Sequence, residues 1–263
     1  MALDAALAGV RAGGAAAPGR RRLGPGAAEG AGGRPTLRFY GWARPAVSIG
    51  YRQPLAQLDL AACGRLGYAV VRRPSGGGAV LHGNDLTYAV VLPRTRQERS
   101  RPLDLYQAVH AAFARGLRRL GLAATATAQA AGRSRPPAHP ACFAMLGNAD
   151  VSLAGFKVVG SAQRRLRGAI LLQGSIPLRS EAETYARLLA PTEGPSPADY
   201  ARGLNAFAAQ PLSAAEVRQA LIAGLREELD LTFSEESPLP EEEAAARDLA
   251  LRCFGSHAWT ERC

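Results

Sequence analysis

Residues 72–82 read RRPSGGGAVLH, and this stretch decides the fold because three glycines separate two strand patterns. Apolar and β-branched residues fill positions 68–71 before it, and positions 79–81 and 86–92 return to a strand pattern after it. Glycine has no Cβ, so backbone amides in such a run can approach an acyl, phosphate or carboxylate group closely. A glycine run alone is about as often a plain structural turn. The stretch therefore predicts strands joined by a turn that can approach a ligand.

A second segment, residues 155–165, reads GFKVVGSAQRR and sets Lys157 in an apolar strand pattern followed by Gly-Ser-Ala. Cys142 and Phe143 precede it, and the cysteine lies fifteen residues before the lysine. A lysine on a strand beside small residues can point into a cleft. On residue chemistry alone, Cys142 also fits a small buried hydrophobe, and Lys157 also fits a solvated strand residue. The pattern places the lysine just after a hairpin turn near residues 154–155.

The rest of the chain combines short strands with a few amphipathic helices. Strand patterns recur near residues 37–39, 47–51, 151–153, 157–163 and 169–178. Helical spacing from Leu105 to Leu120 predicts a helix that ends at Gly121. Ser213 and Glu216 form a capping box before another helix, and a proline at position 240 opens the last one. These patterns predict an α+β fold with largely antiparallel sheets flanked by helices.

Length and local composition predict the domain organisation. The 263 residues, 47% of them hydrophobic, suffice for one compact catalytic domain over 1–263, with a C-terminal helical extension from about residue 213. Leu3, Leu7 and Val10 predict an opening amphipathic helix. Residues 11–35 consist mainly of Gly, Ala, Arg and Pro, which predicts a flexible insert, and a long loop at 123–140 leads to Cys142.

Charge, cysteine spacing and hydropathy exclude several classes of protein. The formal charge of +10 suits an acidic carrier protein, and no recognised nucleic-acid motif accompanies it. Cys63, Cys142, Cys253 and Cys263 show neither metal-site spacing nor a disulfide framework. No apolar run approaches the roughly 20 residues of a membrane span, and the first residues lack the basic region of a secretory signal. We therefore expect a cytoplasmic protein with no metal, nucleic acid or membrane partner.

The order of the motifs resembles a known superfamily. The run RRxSGGGAVxH, then Cys-Phe, then GxKVxGSAQ resembles the lipoate ligase, octanoyltransferase and biotin ligase superfamily, and it is most similar to the LipM-type octanoyltransferases. The resemblance extends from Met1 to the Trp-Thr-Glu-Arg run at 259–262, so it covers nearly the whole chain. It implies a biotin/lipoate ligase-like (BPL/LPL) catalytic domain.

The resemblance also implies an activity. Octanoyltransferases of this type take an octanoyl group from octanoyl-acyl carrier protein and pass it to the target lysine of a lipoyl-domain protein, such as the glycine cleavage H protein. The donor is already a thioester, so the resemblance implies no cofactor and no ATP. The chain would therefore act in lipoate biosynthesis and leave sulfur insertion to another enzyme.

The resemblance assigns roles to particular residues. Cys142 takes the place of the family's nucleophile, which carries the acyl group as a thioester, and Lys157 would stabilise the oxyanion. His82 matches a family histidine, although from the residues alone a structural histidine is about as common. The resemblance places the substrate-binding residues in the two motifs: Arg73, Ser75, Gly76, Gly77, Gly78, His82, Gly160, Ser161 and Ala162.

Two departures from the family pattern leave alternatives open. Gln173 stands where the family commonly has a histidine, and glutamine cannot act as a general base. Residues 144–150 read AMLGNAD in place of the usual Pro-Ser-x-Tyr-Glu pattern. The alternatives are an ATP-dependent lipoate–protein ligase, an octanoyl amidotransferase acting between lipoyl domains, and a non-catalytic carrier-binding relative.

Overall fold

The structure, a computed structural model, describes residues 35–93, 102–126, 139–147, 149–166 and 168–262. Within these ranges the strands are β1 (Thr36–Tyr40), β2 (Ala46–Ile49), β3 (Ala69–Arg72), β4 (Val80–His82), β5 (Asp85–Pro93), β6 (Thr125–Ala126), β7 (Val151–Leu153), β8 (Phe156–Leu166) and β9 (Ala169–Pro177). The helices are α1 (Leu60–Arg65), α2 (Pro102–Arg119), α3 (Ala182–Leu188), α4 (Ala214–Leu229), α5 (Pro240–Leu249) and α6 (His257–Thr260). Among these helices, none has the length and apolar character needed to cross a bilayer.

The strands form two sheets. The larger one has the order β1-β5-β9-β8-β7-β6, and all its neighbouring strands are antiparallel. The smaller one has the order β3-β2-β4, in which β2 and β3 are parallel because the chain crosses over through α1 between them. The predicted α+β fold with largely antiparallel sheets is confirmed.

The main core lies between the larger sheet and the helices α2 and α4. Buried Phe113 from α2 packs in this cluster with Tyr88 and Leu172 from the sheet. Val217 and Leu221 of α4 belong to the same cluster. The first helix of the predicted C-terminal extension is therefore a layer of the main core, because its apolar stripe needs α2 and the sheet to be buried.

Local signals in the sequence form the predicted turns. Ala154 and Gly155 adopt positive φ angles of 47° and 84°, so β7 and β8 form a tight hairpin with Lys157 just after it. The capping box of Ser213 and Glu216 opens α4 as expected. The predicted opening helix, nearly all of the insert 11–35 and most of the loop 123–140 lie outside the described residues.

The last helix is tied to the smaller sheet through Arg72. This side chain is fully buried, and its guanidinium donates hydrogen bonds to the Thr260 carbonyl at 2.8 and 3.0 Å and to the Gly50 carbonyl at 2.8 Å. In return, the Trp259 indole donates to the Arg72 carbonyl at 2.8 Å. The carbonyl dipoles thus stabilise the buried cation, and α6 is held against the strand that leads into the glycine run.

Candidate active site

A cleft between the two sheets gathers most of the predicted site residues. It encloses about 410 Å³ of empty space, part of which is open to solvent. Six predicted site residues line it: Arg73, His82, Cys142, Gly160, Ser161 and Ala162. The other predicted residues, Ser75, Gly76, Gly77, Gly78 and Lys157, each lie against a lining residue. The structure therefore brings both motifs and the cysteine to one place.

Cys142 begins a short 3-10 turn, Cys142–Ala144, which runs beside the end of the glycine run. Its amide donates to the Ala79 carbonyl at 3.0 Å, and the Ala79 amide donates to the Pro140 carbonyl at 2.6 Å. These two bonds form an isolated parallel bridge between Ala79 and Ala141. Backbone pairing therefore holds the cysteine turn against the glycine run.

The glycines are required by this close approach. A Cβ on Gly78 would lie 2.6 Å from the Pro140 carbonyl oxygen and 2.8 Å from the Cys142 amide nitrogen. Gly77 has a φ of 93°, and a Cβ there would lie 2.9 Å from an Arg73 nitrogen and 3.8 Å from the Cys142 sulfur. A side chain at Gly78 therefore cannot fit without moving the cysteine turn. A side chain at Gly77 would strain the positive φ and displace the Arg73 guanidinium.

This crowding predicts that alanine substitutions at two glycines of the run, Gly78 and Gly76, have different effects. We expect Gly78→Ala to lower the free energy of unfolding by about 1–3 kcal/mol and to slow acylation of Cys142 at least about tenfold, because the cysteine turn must move. Gly76→Ala is the matched control, since a Cβ on Gly76 meets nothing within 4 Å. Denaturant unfolding and single-turnover acylation measure both effects, and equal behaviour of the two variants would contradict the proposed crowding.

Lys157 is buried beside the cysteine turn. Its Nζ forms an ion pair with Asp150 Oδ2 at 2.8 Å and lies 5.9 Å from the centre of the Phe143 ring. Burial disfavours the charged ammonium, but the negative charges of Cys142 and Asp150 outweigh it and raise the pKa of Lys157 above its ordinary value. The side chain is therefore a fixed cation near the thiol.

Arg73 is a second buried cation at the cleft. Its guanidinium donates to the backbone carbonyls of Ser48 at 2.8 Å, Gly76 at 2.7 Å and Gly78 at 2.6 Å. Burial lowers the pKa of Arg73, although the charges of Cys142 and Tyr185 oppose this shift. The glycine carbonyls thus orient a cation whose field reaches the thiol.

His82 and Gln173 face the cleft from different sheets. The His82 ring stacks on Trp42, with 4.1 Å between ring centroids and 18° between planes, and its Nδ1 lies 2.9 Å from Asp85 Oδ2. Gln173 lines the same cleft, and its Oε1 accepts a hydrogen bond from the Ser75 hydroxyl at 3.2 Å. Position 173, where the resemblance implies a histidine, is therefore part of the site. It carries the neutral amide of Gln173.

The family model of the lipoyl protein ligase A/B catalytic domain matches residues 27–226, which is most of the chain. The chain belongs to this family. Two curated relatives are both named Octanoyltransferase LipM. The one from Symbiobacterium thermophilum is 36% identical over 243 residues and covers 87% of each chain. The one from Kyrpidia tusciae is 37% identical over 240 residues with the same coverage. The chain is thus similar to LipM octanoyltransferases over nearly its whole length.

A solved structure agrees with this assignment. A lipoate-protein ligase A crystallised with ATP superposes with a TM-score of 0.75 and is 26% identical, covering 99% of this chain and 92% of the other. The biotin/lipoate ligase-like fold implied by the motifs is therefore confirmed. Within the described ranges, no three His, Cys, Asp or Glu side chains converge as metal ligands do.

The sequence did not single out Asp150, which pairs with Lys157 in the structure. Asp150 accepts hydrogen bonds from the Tyr106 hydroxyl at 2.5 Å and from the Gly147 amide at 2.7 Å, in addition to its ion pair with Lys157. It is almost fully buried. The available signal was an acidic residue directly before the apolar strand β7, because a carboxylate next to a buried strand needs a partner.

Gly160 has a different use from the one its size suggests. A Cβ at this position would lie 3.1 Å from Lys157 Cε and 3.2 Å from Phe143 Cζ. Its missing side chain therefore makes room for the lysine stem and the phenyl ring. The neighbouring cleft is lined by Gly160, Ser161 and Ala162 as well.

Behind Ser161 lies a buried histidine that the sequence did not single out. His110 Nδ1 lies 2.6 Å from the Ala149 carbonyl oxygen, and Nε2 lies 2.5 Å from Ser161 Oγ and 3.2 Å from the Tyr88 hydroxyl. Burial lowers the pKa of His110 from 6.5 to about 4, although Asp150 opposes the shift. The ring is therefore neutral in the folded protein at neutral pH.

This neutral histidine predicts a pH dependence of stability. The folded-state pKa lies below the unfolded one, so the contribution is complete above 6.5 and is lost as the pH falls towards 4. We expect the free energy of unfolding to fall about 2 kcal/mol more between about pH 7 and about pH 5 in the wild type than in His110→Gln. Denaturant unfolding at both pH values measures this difference. The control is the exposed His257→Gln variant, for which we expect the same fall in the free energy of unfolding between the two pH values as in the wild type. The same fall in His110→Gln would refute the assignment of this pH dependence to His110.

Proposed function

We propose that the protein is a cytoplasmic octanoyltransferase of lipoate biosynthesis that carries the acyl group as a thioester on Cys142. The observation that carries this proposal is the meeting of one thiol and two buried cations, Lys157 and Arg73, beside one cleft. The similarity to relatives named octanoyltransferase over 87% of both chains supports the reaction type.

The first half of the reaction is a thioester exchange. The Cys142 sulfur attacks the thioester carbonyl of octanoyl-acyl carrier protein and forms a new C–S bond. The bond to the carrier's thiol then breaks, and the cysteine's proton ends on that departing thiol. One thioester replaces another, so the step needs no further source of energy. Lys157 and Arg73 stabilise the thiolate and the oxyanion that forms next to it.

The second half is an aminolysis. The target lysine of a lipoyl-domain protein, which we take to be one like the glycine cleavage H protein, attacks the Cys142 thioester carbonyl. A C–N bond forms, the C–S bond breaks and Cys142 is regenerated. The cleft wall of Gly160, Ser161 and Ala162 lies beside the cysteine and would hold the alkyl chain in both halves.

A mass measurement tests the proposal. The purified wild-type protein is incubated with octanoyl-acyl carrier protein, without ATP, and its intact mass is recorded before and after hydroxylamine. We expect one octanoyl adduct that hydroxylamine removes, since thioesters react readily with it. Addition of a lipoyl-domain protein then moves the adduct to that acceptor.

Other outcomes identify the alternatives. Modification of the acceptor only with free octanoate and ATP would indicate a lipoate–protein ligase. Acylation of Cys142 by an octanoylated lipoyl domain but not by acyl carrier protein would indicate an amidotransferase. A protein that binds the carrier and never forms an adduct would be a non-catalytic relative.

A further inference from the structure

Three polar side chains form a continuous chain of hydrogen bonds at the cleft. Asp85 Oδ2 lies 2.9 Å from His82 Nδ1, and His82 Nε2 lies 2.8 Å from Ser48 Oγ. All three residues are at least nine-tenths buried, and Ser48 and His82 line the cleft that holds Cys142. The order carboxylate, imidazole, hydroxyl is the geometry in which a histidine accepts a proton from a hydroxyl group.

The other contacts of Asp85 fix the direction of these bonds. The hydroxyls of Thr87 and Ser175 each donate to Asp85 Oδ2 at 2.7 Å, and the Gly83 amide donates to Oδ1 at 3.1 Å. Burial favours the neutral acid, but the bond to His82 and these donors lower the pKa of Asp85 below its ordinary value. An ionised Asp85 accepts the Nδ1 proton of His82, so Nε2 is left to accept the Ser48 hydroxyl proton.

The chain of bonds ends at Ser48, which lines the same cleft as Cys142. An Arg73 nitrogen donates to Ser48 Oγ at 3.2 Å, and the same guanidinium lies against Gly77, beside the Cys142 sulfur. Trp42 stacks on the His82 ring and donates its indole proton to Thr87 at 2.9 Å, which holds the ring plane. Strand pairing places Ser48 opposite Val80 on β4, so Ser48 and His82 are diagonal neighbours on adjacent strands.

The second half-reaction needs a proton acceptor that position 173 does not supply. A neutral amine that attacks a thioester becomes positively charged and must lose a proton before the amide forms. Gln173 cannot accept that proton, and among the described residues that line the cleft His82 is the only histidine. Lys157 is held as a cation by Asp150, so it does not serve as a base.

A second serine–histidine contact at the cleft is less suited to this task. Ser161 bonds to His110 Nε2, but His110 Nδ1 faces the neutral carbonyl of Ala149 and not a carboxylate. Burial lowers the pKa of His110 to about 4, so its imidazolium is disfavoured. His82 differs because its Nδ1 lies 2.9 Å from a carboxylate oxygen, Asp85 Oδ2.

We propose that His82 is the general base for the octanoyltransferase reaction proposed above, accepting the proton of the attacking lysine amine through the Ser48 hydroxyl. The lysine ammonium first loses one proton to solvent, and the amine forms a C–N bond to the thioester carbonyl. The charged nitrogen then passes a proton to Ser48 Oγ as the Ser48 hydroxyl proton moves to His82 Nε2. Collapse breaks the C–S bond, and the Cys142 thiolate takes the proton back from His82 by the same path.

The test compares two nucleophiles on the same acyl-enzyme. His82→Gln is loaded from octanoyl-acyl carrier protein, freed of donor, and mixed with a lipoyl-domain protein or with hydroxylamine at neutral pH. The adduct that hydroxylamine forms is far more acidic than a lysine adduct, so solvent takes its proton without help from the protein. The exposed His257→Gln variant is the matched control. Loss of the octanoyl mass from the enzyme gives the rate of its reaction with the lipoyl-domain protein and with hydroxylamine.

We expect His82→Gln to form the acyl-enzyme normally and to react normally with hydroxylamine, but to transfer octanoyl to lysine about 10²–10⁴-fold more slowly. Ser48→Ala keeps the imidazole and carboxylate and gives the same selective loss, which carries the test if His82→Gln does not fold. Equal slowing with both nucleophiles would overturn the proposal, because it would show a structural role. A selective loss in His110→Gln, with none in His82→Gln, would overturn it as well.

Failure of the proposed function itself looks different. In that case the wild-type protein forms no hydroxylamine-sensitive adduct on Cys142, so the first half-reaction already fails. If only the inference about His82 is wrong, the wild type is acylated and His82→Gln transfers octanoyl to lysine at the wild-type rate.

Discussion

Cys142→Ala is expected to abolish formation of the acyl-enzyme and to lower octanoyl transfer about a thousandfold or more. The change removes the only group in the proposed mechanism that can hold the acyl chain between donor and acceptor. The fold should be retained, because backbone bonds to Ala79 and Pro140 set the turn, and alanine preserves them. Intact mass after incubation with octanoyl-acyl carrier protein measures the adduct, and acceptor modification measures the transfer.

The other thiols provide the control for this experiment. Cys253 lies in the π-helical turn Ala250–Phe254, after α5; it is partly buried and does not line the cleft. We expect Cys253→Ala to be acylated like the wild type. An octanoyl adduct that persists in Cys142→Ala and disappears in Cys253→Ala would contradict the assignment of the nucleophile.

Lys157→Met is expected to have the second largest effect, and to act on both catalysis and stability. Loss of the ammonium removes the fixed positive charge beside the thiol, so acylation should slow about 10²–10³-fold. The change also leaves the Asp150 carboxylate buried without its cation, which should lower the free energy of unfolding by about 3–5 kcal/mol. Single-turnover acylation and denaturant unfolding measure the two effects separately.

A double variant separates these two effects. Asp150→Asn in the Lys157→Met background removes the unpaired charge while the amide still accepts a hydrogen bond from Tyr106. We expect the double variant to recover much of the lost stability and none of the lost acylation rate. Recovery of acylation together with stability would show that the lysine only supports the fold.

The elements around the site were predictable where their signals are local. Ala154 and Gly155 indicate the hairpin that places Lys157 near the start of β8. Ser213 and Glu216 indicate the start of α4. Each signal depends on residues within a few positions of one another, so tertiary contacts do not override it. That the glycine run and Cys142 lie in one site was predicted from the resemblance, because sequence spacing alone does not show it.

The polar partners of the site were not predictable, because sheet register creates them. Ser48 and His82 are 34 residues apart in sequence and meet only through the pairing of β2 with β4. Asp150 reaches Lys157 through the bulged pairing of β7 with β8. Gly160 is a second example of a residue whose surroundings depend on tertiary contacts. Its small size suggests open space, whereas the fold fills that space with the stem of Lys157.

The anchoring of α6 on Arg72 affects how the protein is best handled in the laboratory. Thr260 accepts two hydrogen bonds from Arg72, and the next residue, Arg73, donates a hydrogen bond to the Gly78 carbonyl of the glycine run. An affinity tag or fusion partner joined within a few residues of Thr260 therefore begins close to that anchor. A long flexible spacer, or cleavage of the tag before assay, protects kinetic measurements from an artefact that would otherwise resemble an active-site defect.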